Sequence, residues 1–207
     1  MSDYKTDDEK VEELKAWWKE NGTSVVVGVA LSIVALFGWD YWKKSQEATA
    51  AEASALYAQT SKTAQVDLIK ALPNVQKLQN DYASTPYAVT ASLQAAQQHA
   101  EKGEYEPALK ALQWVVDNSK EEGFTQLANI RLARVLLAMK KPDEALQIAN
   151  KTYPVAYEAL IAELKGDIYS AQNKPKEARE AYDKAISSTE GGSTELIQMK
   201  RDNLGAG

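Results

Sequence analysis

Cysteine is absent from the 207 residues, and histidine occurs once, at His99. The first absence excludes disulfides, thiolate metal sites and cysteine nucleophiles, and it fits an oxidising compartment. The second leaves little for acid–base chemistry. A lone histidine on a helix is more often a packing or surface residue than a catalytic base, and no nucleophile pairs with His99 in a familiar motif. HExxH, the Walker loop and the dinucleotide fingerprint are all missing. Stretches alternating apolar and polar residues are missing too, so no sheet is expected. Residues 43–207 lack any excess of one charge, with 20 basic and 21 acidic side chains. That leaves no basic footprint for nucleic acid.

Charge is also missing, completely, from Asn21 to Trp39, a run of nineteen mostly apolar residues. As a helix it spans roughly 29 Å, close to the ~30 Å hydrocarbon core of a bilayer. Trp17 and Trp18 precede it, and Trp39, Tyr41 and Trp42 close it. Aromatic rings at both ends are what two membrane interfaces select. Two other readings exist. A cleaved signal would need a short basic start and a shorter apolar stretch, whereas residues 1–20 hold four Lys against seven acids. A core helix of a soluble domain would show a polar stripe, which this run lacks. The expected organisation is an acidic tail over 1–20, a membrane helix over 21–42 and a folded domain over 43–207. Four lysines before the run (Lys5, Lys10, Lys15, Lys19) against Lys43 and Lys44 after it favour the N-terminus inside, with the domain in the periplasm or an equivalent compartment.

The domain reads as all-α. SQEATAAEASALYAQTSKTAQ, after Lys44, is rich in Ala and free of Pro and Gly, and reads as a helix that continues the membrane span. Pro73 is expected at or near a helix start, and Ser84-Thr85-Pro86 reads as a hydroxyl cap followed by Pro in the first turn. A repeat follows. Ala96 and Ala108, Ala133 and Ala145, and Gly166 and Ala178 are each twelve residues apart, with the turns EKGEYEPA, AMKKPDEA and AQNKPKEA between them. Small residues there let two antiparallel helices approach closely. The units are offset by 37 and 33 residues, near the 34 of tetratricopeptide repeats. Gly103, Tyr105, Leu112, Tyr169, Tyr182 and Ala185 extend the likeness, although the large aromatic that opens a tetratricopeptide unit is missing. The expected fold is one transmembrane helix followed by a solenoid of helical hairpins. Repeats are expected near 88–117, 125–152 and 157–188, with a capping helix over 193–204.

Tetratricopeptide units line their groove with the first helix of each pair. That resemblance implies partner contacts at Leu93, Gln97, Ile130, Arg134, Leu137, Glu163 and Asp167. Some such domains clamp a C-terminal carboxylate with Lys and Asn, and Leu93 and Gln97 occupy the first of those positions here, so the clamp is not supported. On the membrane helix, Ser24, Gly28 and Ser32 recur every four residues and offer a face on which another transmembrane helix could pack. Nothing argues for catalysis, a metal, a cofactor or a small-molecule substrate.

The blocks ENGTSVVVGVALSIVALFGWDYW, NIRLARVLLAMKKPDEAL and AELKGDIYSAQNKPKEAREAYDKA, with the ending IQMKRDNL, together resemble the YfgM family, the ancillary subunits of the bacterial SecYEG translocon. The resemblance covers residues 9 to 204. It implies a single-pass inner-membrane protein with a cytoplasmic N-terminus and a periplasmic repeat domain. It also implies association with SecYEG and the chaperone PpiD, and a scaffold role in passing exported chains to periplasmic chaperones. The alternative expectation is a membrane-tethered regulator whose acidic tail captures a soluble regulatory protein.

Overall fold

A computed structural model of the chain describes residues 7–189 and 191–204. The first six residues of the acidic tail, Glu190 and Gly205-Ala206-Gly207 lie outside the described residues. The chain divides into two compact units, residues 1–51 and 52–207. Nine α-helices and one 3-10 turn are described: α1 Asp7–Val66, α2 Leu68–Asp81, α3 Pro86–Glu101, α4 Tyr105–Asn118, α5 Glu122–Ala138, α6 Pro142–Ala149, the turn Val155–Tyr157, α7 Glu158–Ala171, α8 Pro175–Ser187 and α9 Glu195–Asp202. Strands are absent among the described residues, so the all-α expectation holds.

The first unit is the N-terminal part of α1. Val26, Val29, Leu31, Val34, Leu36 and Phe37 are 55–74% exposed, and only 6% of the apolar window is buried within the protein. This overturns the reading as a core helix. Leaving such side chains in water forgoes about 1.5–3 kcal/mol each, a cost that lipid removes. The segment is long and apolar enough to cross a membrane.

In the second unit, α1 residues Ala53, Leu56 and Tyr57 join Leu68, Val75 and Leu78 of α2 and Ala88, Ala91 and Ala95 of α3 in one apolar cluster. Two starts differ from expectation. Helix α2 begins at Leu68, where the Asp67 carboxylate accepts a hydrogen bond from the Lys70 amide at 3.3 Å. Pro73 therefore lies in its second turn, not at its start. That placement removes the N–H that would have reached the Ile69 carbonyl. Thr85 precedes α3 with Pro86 in its first turn, but its hydroxyl makes no cap bond. It donates instead to the Tyr82 carbonyl at 2.8 Å.

Three hairpins follow, α3–α4, α5–α6 and α7–α8, and their turns share one geometry. Gly103, Lys140 and Asn173 sit at φ +76°, +60° and +58°. One residue on, the amides of Glu104, Lys141 and Lys174 donate to the carbonyls of His99, Leu136 and Tyr169 at 2.8–2.9 Å. This six-to-one bond past a left-handed residue is the Schellman ending of a helix. Proline then opens α6 and α8, where its missing N–H costs nothing.

Ala108, Ala145 and Ala178 are fully buried. The main core joins α3, α4, α5, α6 and α7, and a smaller one joins α7, α8 and α9. At Gly166 the nearest side-chain atoms belong to Tyr182, one turn beyond Ala178 along α8. A Cβ built at Gly166 would overlap the Tyr182 ring. Gly166→Ala is expected to lower stability by about 1–3 kcal/mol, read from thermal unfolding by circular dichroism. An unchanged midpoint would contradict the Tyr182 contact. Lys140→Gly is expected to raise stability by about 0.5–1 kcal/mol, because it relieves a left-handed lysine. Denaturant titration of the two proteins checks this.

Candidate protein-binding surface

Helices α3, α5 and α7 are the first members of the three hairpins, and they carry all seven expected groove residues. These residues fall into three groups. Leu93 and Ile130 are 6% and 1% exposed and belong to the main core, and Leu137 packs half-buried against it. They join the hairpins to one another, and of the three only Leu137 keeps part of its side chain exposed. Each of these helices is flanked by two others, so the apolar members of the expected face turn inward, where burial gains about 1.5–3 kcal/mol per side chain.

Glu163 and Asp167 form the second group. The ammonium of Lys200, on α9, donates to both, at 2.7 Å and 2.9 Å. The Tyr182 hydroxyl donates to Asp167 at 2.8 Å. Burial pulls the Lys200 amine down, but the two carboxylates outweigh it and hold the group above the usual lysine range. Burial and the Asp167 bond push the Tyr182 hydroxyl well above the usual tyrosine value. Both acids are engaged by Lys200 within the repeat domain, with side chains 16% and 23% exposed.

Gln97 and Arg134, the third group, are exposed and line one cleft of about 290 Å³ between α3 and α5. Ala96, Ala100, Leu112 and Val135 make its apolar lining, and Glu101 and Arg131 stand with the other two polar residues. Gln97 donates to Glu101 at 2.9 Å. Among the described residues, neither Arg131 nor Arg134 has an ion-pair or hydrogen-bond partner. Sequence spacing missed Arg131; an arginine three residues before another on one helix was the available signal.

On the apolar part of α1, Ser24, Gly28 and Ser32 are exposed. Ser32 satisfies its own hydroxyl on the Gly28 carbonyl at 2.8 Å, and nothing lies within 4 Å of where a Cβ at Gly28 would sit. The strip is an open, shallow surface. His99 is buried at the α3–α4 turn, with Nδ1 2.6 Å from the Glu104 carboxylate, a tie between the two helices. Among the described residues no group of three His, Cys, Asp or Glu could hold a metal ion.

Residues 15–206 match the family model of the tetratricopeptide repeat-like domain. The chain is 31% identical over 205 residues to the ancillary SecYEG translocon subunit of Escherichia coli, covering 99% of each protein. It is 30% identical to the protein of the same name from Haemophilus influenzae, covering 96% of this chain and 97% of the relative. The chain belongs to the family of ancillary SecYEG translocon subunits. A third member, from Neisseria gonorrhoeae, is 30% identical over 208 residues. No solved structure matches the chain. In the repeat domain the Arg131–Arg134 cleft is an open polar surface, and α9 covers the Glu163–Asp167 side of the third hairpin. Lys200→Met is expected to cost about 1–2 kcal/mol, since it strands two half-buried carboxylates four residues apart. Faster hydrogen exchange confined to α8 and α9 is the expected readout, and uniform protection would exclude the clamp.

Proposed function

We propose that this protein is a membrane-anchored, protein-binding scaffold that associates with the SecYEG translocon and links exported chains to periplasmic chaperones, PpiD among them. Similarity at about 30% identity over nearly the whole length of relatives named ancillary SecYEG translocon subunits carries the reading. In it, residues 1–20 are a cytoplasmic tail, 21–42 cross the membrane and 43–207 lie in the periplasm. Lysine asymmetry supports that orientation. The Ser24, Gly28 and Ser32 strip is where a translocon helix packs, since small residues allow close approach in lipid. The cleft bearing Gln97, Arg131 and Arg134 is the recognition surface of the repeats. Two free guanidiniums beside apolar walls suit a polypeptide better than a reacting substrate.

Purification of the tagged chain from mild detergent extracts is the test. The channel subunits are expected to co-elute, and protease added to spheroplasts is expected to digest residues beyond Lys44. Absence of channel subunits would refute the association. Protection of the repeat domain, with digestion of the tail, would reverse the orientation.

A further inference from the structure

A second cleft of the repeat domain, about 470 Å³, lies away from the Arg131–Arg134 surface. It opens where α6 stops short. That helix has 8 residues, whereas its counterparts α4 and α8 have 14 and 13. Six residues of helix are about 9 Å, nearly two turns. The chain beyond Ala149 runs without helix to Pro154 and forms one wall, while α7 and α8 form the others.

This wall is tied in place. The Lys151 ammonium donates to the side-chain oxygen of buried Asn129 at 3.0 Å, and the Tyr153 hydroxyl donates to the Ile148 carbonyl at 3.0 Å. The cleft is therefore built into the fold. Ile161 and Ala162 give it apolar lining. Lys165 stands half-buried among them, and among the described residues its ammonium has no hydrogen-bond or ion-pair partner. Burial and the nearby Lys184 charge hold the Lys165 amine below the usual lysine range. Lys184 itself is engaged by Glu158 at 3.0 Å. Lys165 is thus a half-buried cation without a partner, while Glu177 and Glu180, which line the same cleft and are also unpaired among the described residues, are exposed at its α8 side.

We infer that this cleft receives about two turns of an amphipathic helix from a protein partner, with an Asp or Glu of that helix meeting Lys165. The inference extends the protein-binding reading above and rests on it. The site is distinct from the Arg131–Arg134 surface. A carboxylate there supplies the charge that Lys165 lacks, and a helix supplies the turns that α6 lacks. Polar or basic residues on the outer edge of the incoming helix suit Glu177 and Glu180.

The test uses the full chain in its native membranes, with a photoreactive amino acid replacing Val155, which lies at the cleft and is 84% exposed. A second protein carries the same probe at Leu196 on α9. Crosslinked peptides are sequenced by mass spectrometry. The Val155 adduct is expected to map to a helical partner segment with an acidic residue within one turn. Lys165→Glu is expected to reduce that adduct at least tenfold and Lys165→Gln to reduce it less, while Lys165→Arg retains it; the Leu196 adducts stay unchanged in all three. Circular dichroism of each variant verifies the fold. An adduct insensitive to Lys165→Glu, a partner segment without Asp or Glu, lipid adducts alone, or no adduct at Val155 would overturn the inference. Co-elution of the channel subunits from the same membranes separates the two failures. If they co-elute while the Val155 result is negative, only this site falls; if they do not, the association itself falls.

Discussion

Close approach of antiparallel helices is the constraint on which the repeat domain rests. Ala108, Ala145 and Ala178 have no exposed surface, and each occupies the first turns of the second helix of its hairpin. A side chain of any length there would hold the two helices apart and open the core that Leu112, Ile130, Leu164 and Ile168 fill. The hairpin turns serve the same end. A Schellman ending reverses the chain within three residues, so the second helix starts close enough to the first for an alanine to touch it. The third hairpin meets the constraint in another way, with glycine on one helix accepting a tyrosine ring from the other.

Those features were legible because they repeat. Offsets of 37 and 33 residues place three small residues and three turns in one register, and a pattern that recurs three times outweighs weak local propensities. The groove was less legible. Leu93 and Gln97 lie one turn apart on one face, yet one is core and the other solvent. Helical spacing fixes an angle around the axis, whereas burial depends on how neighbouring helices cross it. The ion pairs of Glu163 and Asp167 were hidden for a different reason, since their partner Lys200 is 37 and 33 residues away. The early end of α6 did leave a trace. Asn150 and Pro154 follow it, and a proline biases the residue before it away from helix.

Charge balance over the domain conceals an uneven arrangement. The domain is nearly neutral as a whole, yet its acids and bases are not equally available. Lys200 draws two carboxylates into the third hairpin, while Arg131, Arg134 and Lys165 stand without partners among the described residues. The Arg131–Arg134 surface is therefore locally positive, and Lys165 stands unpaired beside exposed Glu177 and Glu180, on a chain whose net charge is −5. Attraction to acidic segments at such sites weakens with salt unless apolar contact accompanies it. Both clefts provide that contact.

The Lys200 clamp sets an order of events during synthesis. Helix α7 leaves the ribosome with Glu163 and Asp167 on one side and nothing to neutralise them. Another 33 residues must follow before the lysine that neutralises them exists. Until then Glu163 and Asp167 lack the cation that pairs with them in the finished fold. Closure comes as a late, non-local step that follows the local hairpins rather than directing them.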